Sequence, residues 1–230
     1  FMFLLRSEEM KSTAPSEKPS LKSLRESFTH IFPIVIAGGL LTWIVISDGI
    51  RVFATNLSFN LLPVYLSDIG LIDKQGIGML EGLHGIAWFI AAPIGGWLSD
   101  KSSERNGFML GTAVFLSSFL VFILAEGFGV FALSWVIMGI GAALLDPAYN
   151  ALIARGAPVH LRGVAYALIP ALIGLIALPA PWIGGQIWEA TNPKIPFLVT
   201  FLVGSLALIP AWFKLRVPDA EGAAPPEPAQ

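Results

Sequence analysis

Gly96-Trp97-Leu98-Ser99-Asp100-Lys101-Ser102-Ser103-Glu104-Arg105 is the stretch that decides how this chain folds. It is a short charged turn between two long apolar runs. One run begins near Gly76 and ends in the turn; the other extends from Gly107 to Ala125. Gly96 stands four residues ahead of the acid Asp100, and the bases Lys101 and Arg105 follow. Charge gathered in so small a turn, with Glu81 the one formally charged residue in the flanking runs, is the pattern of two membrane helices meeting at a bilayer surface.

Composition extends that reading to the whole chain. Hydrophobic residues make up 55% and charged residues 13%, against about 25% charged in soluble domains. The charges cluster, and between clusters lie stretches of about twenty apolar residues, the length a bilayer core requires of a helix. A helix satisfies every backbone polar group internally, which hydrocarbon demands. Six such spans are expected near 35–66, 76–98, 107–125, 128–151, 163–187 and 195–214. A net charge of −2 suggests no nucleic-acid partner. With no cysteine there is no disulfide, thiolate metal site or cysteine nucleophile. No cofactor or metal is expected.

The flanks read differently. Phe1 to Arg6 is too short for a span and resembles the last turns of a helix begun upstream; a signal peptide is the competing reading. Ser7 to Ser20 is a polar linker with Pro15 and Pro19. Leu21, Leu24, Phe28 and Phe32 recur at helical spacing among Lys22, Arg25 and Glu26. That pattern suits an amphipathic lead-in on the membrane surface or a short solvated helix. Residues 1–33 thus precede a bundle at 34–216. The tail 217–230, with Pro218, Pro225, Pro226 and Pro228, is expected to be disordered.

Basic residues orient the bundle, since cytoplasmic loops collect Lys and Arg. Arg6, Lys11, Lys18, Lys22 and Arg25 precede the first span. Lys101 and Arg105 follow the second, Arg155 and Arg162 the fourth, and Lys214 and Arg216 the sixth. Only Lys74 and Lys194 fall on the opposite side, and Arg51 lies within span one. Both ends are therefore expected in the cytoplasm of a cell (inner) membrane, in agreement with an even number of spans.

A second motif joins spans four and five. It runs from Pro147-Ala148-Tyr149-Asn150-Ala151-Leu152 through Arg155 to Pro158-Val159-His160-Leu161-Arg162-Gly163. Together with the Gly96–Arg105 turn it resembles the C-terminal half of a major facilitator superfamily transporter over about residues 1–216. Pro147, Ala151, Leu152, Pro158, Arg162 and Gly163 match that family's pattern. Arg155 stands where the family usually has an acid, Glu104 where it has a base, and Ser103 where it has a glycine. The resemblance implies an all-α membrane protein. Its six transmembrane helices would form two inverted three-helix repeats, half of a twelve-helix fold. It implies alternating access to a small solute and a missing N-terminal half. It also implies a cytoplasmic gating motif of Gly96, Asp100, Lys101, Arg105, Pro158, Arg162 and Gly163, in which Asp100 latches one state. Asp100 could meet backbone N–H groups at a helix N-terminus; a plain solvated turn is the other reading.

Charges inside the spans carry the functional expectation, because a charge at mid-bilayer costs about 2.5–3.5 kcal/mol and faces a cavity or a partner. Asp48, Arg51, Thr55 and Ser58 share one sector of span one, with Asn56 and Asn60 beside it. The stripe is either a self-neutralising pair between helices or a cavity wall that binds substrate. Glu81 and His84 form an i,i+3 pair in span two. With Asp48 they are the candidates for proton coupling, set against interfacial and packing roles. Asp146 is expected to accept a hydrogen bond between helices. Gly95 and Gly96 are expected to let helices close up. Prolines in span five suit helices that rock. Spans three and six, the most uniformly apolar, are expected as lipid-facing supports.

The function these features favour is secondary active transport of a small solute, coupled to protons. A non-transporting receptor or assembly factor on the same fold is the alternative, and a six-span membrane enzyme the weaker one. No helix-sized sequence repeat is visible.

Overall fold

A computed structural model describes residue 29 and residues 31–215; the side chain of residue 100 is outside that description. The expected upstream helix end, linker, most of the lead-in and the tail lie outside the described residues.

Among the described residues, nine α-helices build six spans. Helices α1 (Leu40–Ser58) and α2 (Leu62–Asp68) make span one, joined by a 3-10 turn at Phe59–Leu61. Helix α3 (Lys74–Lys101) is span two, α4 (Glu104–Ile123) span three and α5 (Phe128–Gly156) span four. Helices α6 (Arg162–Ala177) and α7 (Ala180–Ala190) form span five. Helices α8 (Ile195–Ser205) and α9 (Leu208–Lys214) form span six. All six are long and apolar enough to cross a membrane. Residues 31–36 form a further helical segment ahead of α1.

The ends follow from local chemistry. The Asp73 side chain accepts from the Gly76 N–H at 2.9 Å and caps α3. Ser103 caps α4 by accepting from Asn106 N–H. Three expected continuous helices are broken instead. Span one starts at Leu40 rather than 35, because Gly38 adopts φ 80° and turns the chain. Span five breaks ahead of Pro181, at the first turn of α7, where proline suits a helix start but cannot continue one. Span six breaks at Leu206–Ala207. Pro93 and Pro147, by contrast, lie inside unbroken helices.

Packing reveals the repeat that sequence did not. Span four packs on spans two and three; span one packs on spans five and six; spans three and six meet. Exchanging spans one to three with four to six maps this set of neighbours onto itself. Three spans per repeat is an odd number, so the two repeats run through the membrane in opposite senses. The closest approaches obey the same exchange. A Cβ on Gly95 of span two would collide with the Ala143 carbonyl of span four, and one on Gly184 of span five with the Leu57 carbonyl of span one. Both glycines open a doublet, Gly95-Gly96 and Gly184-Gly185.

Two buried clusters divide the bundle along its length. Around the turns that follow spans two and four it is mainly aliphatic, with Leu41, Ile44, Leu152, Ile169 and Leu215. At the other end it is aromatic, with Tyr65, Phe119, Phe122, Phe131, Trp135 and Phe197. Span three is not peripheral. Its Phe108, Phe119 and Phe122 are fully buried, because it packs on spans four and six. Span two is the span least covered by the rest of the chain.

Candidate functional site

Where the two clusters meet, span one carries its charges. Asp48 lies eight residues into α1, about 12 Å from its start at 1.5 Å per residue. It is 3% exposed, and Arg51 Nε donates to its Oδ1 at 2.7 Å. The i,i+3 spacing makes this geometry available on one helix face. The Arg51 guanidinium also stands 5.9 Å from the Phe115 ring of span three. Among the described residues, Ser47 Oγ and Thr112 Oγ1 are buried with no hydrogen-bond partner. The centre of the bundle therefore holds an ion pair and polar atoms with unused bonding capacity.

The rest of the stripe has other partners. Thr55 Oγ1 donates to the Arg51 carbonyl and Asn56 Nδ2 to the Val52 carbonyl, each back onto its own helix. Ser58 Oγ meets Thr200 Oγ1 at 2.7 Å and Thr200 donates to the Ala54 carbonyl, tying span one to span six. Asn60 departs from the expected stripe. It sits exposed in the 3-10 turn, which rotates it out of the helical register.

Spans two and four share a second set of groups. Trp135 Nε1 donates to Glu81 Oε1 at 3.2 Å, and Trp88 Nε1 donates to Asp146 Oδ2 at 3.0 Å. Each span supplies one tryptophan and one carboxylate, so the two bonds cross the interface in opposite directions. Asp146 has the inter-helix role expected of it. Glu81 and His84 do not form the expected pair: among the described residues no hydrogen bond or ion pair joins them. The i,i+3 spacing made that contact possible, but the Glu81 carboxylate reaches across to the indole of span four. Trp88 and Trp135 are site residues that sequence reasoning missed. Their indole N–H is a donor that must find an acceptor when buried.

The turn regions form the basic end. Gly95, not Gly96, makes the close approach; Gly96 faces open space. Residue 100 lies in the last turn of α3, and the adjacent N-cap is Ser103. Lys101 stacks on Trp97 at 4.9 Å and Arg105 on Trp212 at 5.0 Å. Pro158 begins a 3-10 turn, Arg162 Nε donates to the Ala154 carbonyl, and Gly163 is open. Arg155 Nη2 meets Glu104 Oε1 at 2.5 Å, with Glu104 buried and Arg155 half exposed. Among the described residues no three His, Asp or Glu side chains gather to hold a metal ion.

The family model described as the Major Facilitator Superfamily matches residues 44–230. The chain belongs to that superfamily. It is an all-helical, multi-pass membrane protein with the fold of a six-helix half. It is 32% identical over 153 residues to quinolone resistance protein NorA of Staphylococcus aureus (strain MRSA252), covering 66% of this chain and 39% of that protein. It is 30% identical over 124 residues to the uncharacterized MFS-type transporter Rv1250 of Mycobacterium tuberculosis (strain ATCC 25618 / H37Rv), covering 54% and 21%. The matched part spans about two fifths of the NorA length.

Family membership makes the Glu104–Arg155 contact informative. Glu104 and Arg155, the two charged positions that the sequence reading set apart from the family resemblance, meet each other. The contact joins span three to span four.

Proposed function

We propose that this chain is the C-terminal half of a secondary active transporter. With a further six-helix half it moves a small solute by alternating access, coupled to protons. Both ends lie in the cytoplasm of the cell membrane. The observation that carries this reading is the buried Asp48–Arg51 pair. An ion pair in a low-dielectric interior gains little over well-packed apolar residues, so its presence in span one calls for a role beyond packing. That role is to line the central cavity, bind solute and exchange protons, with Glu81 as a second proton carrier on span two. The relationship to a quinolone resistance protein and an MFS-type transporter supports transport. The gating role assigned to the turn after span two is part of the same proposal.

The test uses the full-length parent protein in proteoliposomes. Asp48→Asn is expected to lower solute flux at least tenfold while membrane insertion persists. Asp48→Asn with Arg51→Gln removes both charges and should restore stability but not flux. Recovery of flux in the double variant would make the pair purely structural and overturn the reading. Glu81→Gln is expected to abolish uphill accumulation while leaving downhill exchange; intact uphill accumulation would remove Glu81 from the proposal.

A further inference from the structure

A groove runs between spans one, five and six on the side of span one away from Asp48. It holds about 280 Å³. Ile46, Gly49, Ile50 and Phe53 line it from span one, Ile176 from span five and Val203 from span six. The wall is almost wholly apolar, and Ile46 and Ile176 stay substantially exposed. Gly49 gives the groove its depth: its missing side chain leaves only Ile176 Cδ1, 3.7 Å from where a Cβ would stand.

Trp43, Ile46, Ile50 and Phe53 recur at spacings of three and four, so one helical stripe connects the groove to Trp43 at the basic end. There the Lys214 ammonium stands 5.1 Å from the Trp43 ring centroid. Trp43 Nε1 donates to the Gly38 carbonyl, which restrains the ring one helical turn from Ile46. Lys214 is exposed and has no carboxylate partner among the described residues. The apolar stripe that lines the groove thus continues along span one to an indole and a cation with no carboxylate partner among the described residues. Indoles settle at headgroup depth, and a lysine there attracts anionic headgroups.

We propose that this groove is a phospholipid site: one acyl chain lies along the stripe from Ile46 to Phe53, and the phosphate of an anionic headgroup sits on Lys214. Charge selects the anionic lipid, and shape selects the chain. The lipid would fill the gap between span one and the broken fifth span, so it would bear on how far these helices separate.

The test is native mass spectrometry of the chain, and of its full-length parent, released from bilayers of equimolar phosphatidylglycerol and phosphatidylcholine. The unaltered protein is expected to retain phosphatidylglycerol in preference. Lys214→Gln should reduce that preference about fivefold, the effect of one lysine at an anionic surface. Gly49→Leu fills the channel and should abolish retention of either lipid, while Gly49→Ala, which adds only an ordinary contact, should leave it. Lys101→Gln lies elsewhere at the same end and should change nothing. Equal loss in Lys101→Gln would reduce the effect to diffuse surface charge and overturn the site. Retention unaffected by Gly49→Leu would overturn the seat in the groove. Retention by the 230-residue chain but not by its parent would hand the groove to a helix of the other half. Thermal unfolding of each variant in parallel excludes misfolding as the cause of lost lipid.

Discussion

The two ends of the bundle are held by different forces. At one end Phe122 packs against Phe131, Trp135 and Phe197 at ring-centroid distances of 5.3, 5.8 and 4.5 Å, and Tyr65 meets four aromatic rings. Spans one, three, four, five and six all contribute. At the other end the packing is mainly aliphatic, and the polar ties beside it are an ion pair with a half-exposed partner and cations laid on tryptophans. Interlocked rings lose many dispersion contacts at once when separated. A half-exposed charge finds water as soon as it is released. The interlocked rings are therefore costly to separate, and the polar ties of the basic end cheap and reversible.

The largest effect should appear where both ends share a device. Gly184→Ala at the aromatic end and Gly95→Ala toward the basic end each drive a Cβ into a backbone carbonyl, which cannot yield as a side chain can. Neither variant is expected to give folded protein on size-exclusion chromatography. Gly185→Ala and Gly96→Ala, facing open space, should behave as the unaltered chain. Equal behaviour within either doublet would dissolve the pseudo-symmetry.

Next, Phe122→Ala should destabilise the protein by about 3–5 kcal/mol, the usual range for a buried ring. Unfolding in detergent with increasing denaturant would report it. A loss no larger than at the basic end would erase the contrast.

The smallest effects belong to the ion pair, and they should be unequal. Arg155→Gln strands a buried carboxylate and should cost about 1–3 kcal/mol. Glu104→Gln strands only a half-exposed guanidinium and should cost below about 1 kcal/mol. Equilibrium unfolding of both, with the exchange Glu104→Arg and Arg155→Glu, measures the coupling. An exchanged protein no better than the worse single variant would mean that the pair does not act as a pair.

The spans were legible because hydropathy is local: each helix declares itself within about twenty residues. Helix breaks were less so. Pro181 stands in the first turn of a new helix segment while Pro93 and Pro147 sit inside continuous ones, and only the neighbouring packing decides which. The polar residues of the site were visible individually, but their partners depend on how each helix is rotated. Glu81 was assigned to His84 by spacing and belongs to Trp135, 54 residues away. Glu104 and Arg155 each read as a departure until the fold placed them side by side. The repeat was hidden because its echo is short: the glycine doublets, each followed by an acid four residues after the second glycine, at Asp100 and Glu189.

The crossed tryptophan bonds between spans two and four have a mechanical consequence. Two rivets driven from opposite sides resist both sliding and twisting, so these spans should travel as one plate. Spans one and five have no hydrogen bond between them among the described residues, and a glycine on a carbonyl is their tightest bearing. A bearing permits rotation. Under load from a partner half, span five should pivot on span one at Gly184 while spans two and four move together.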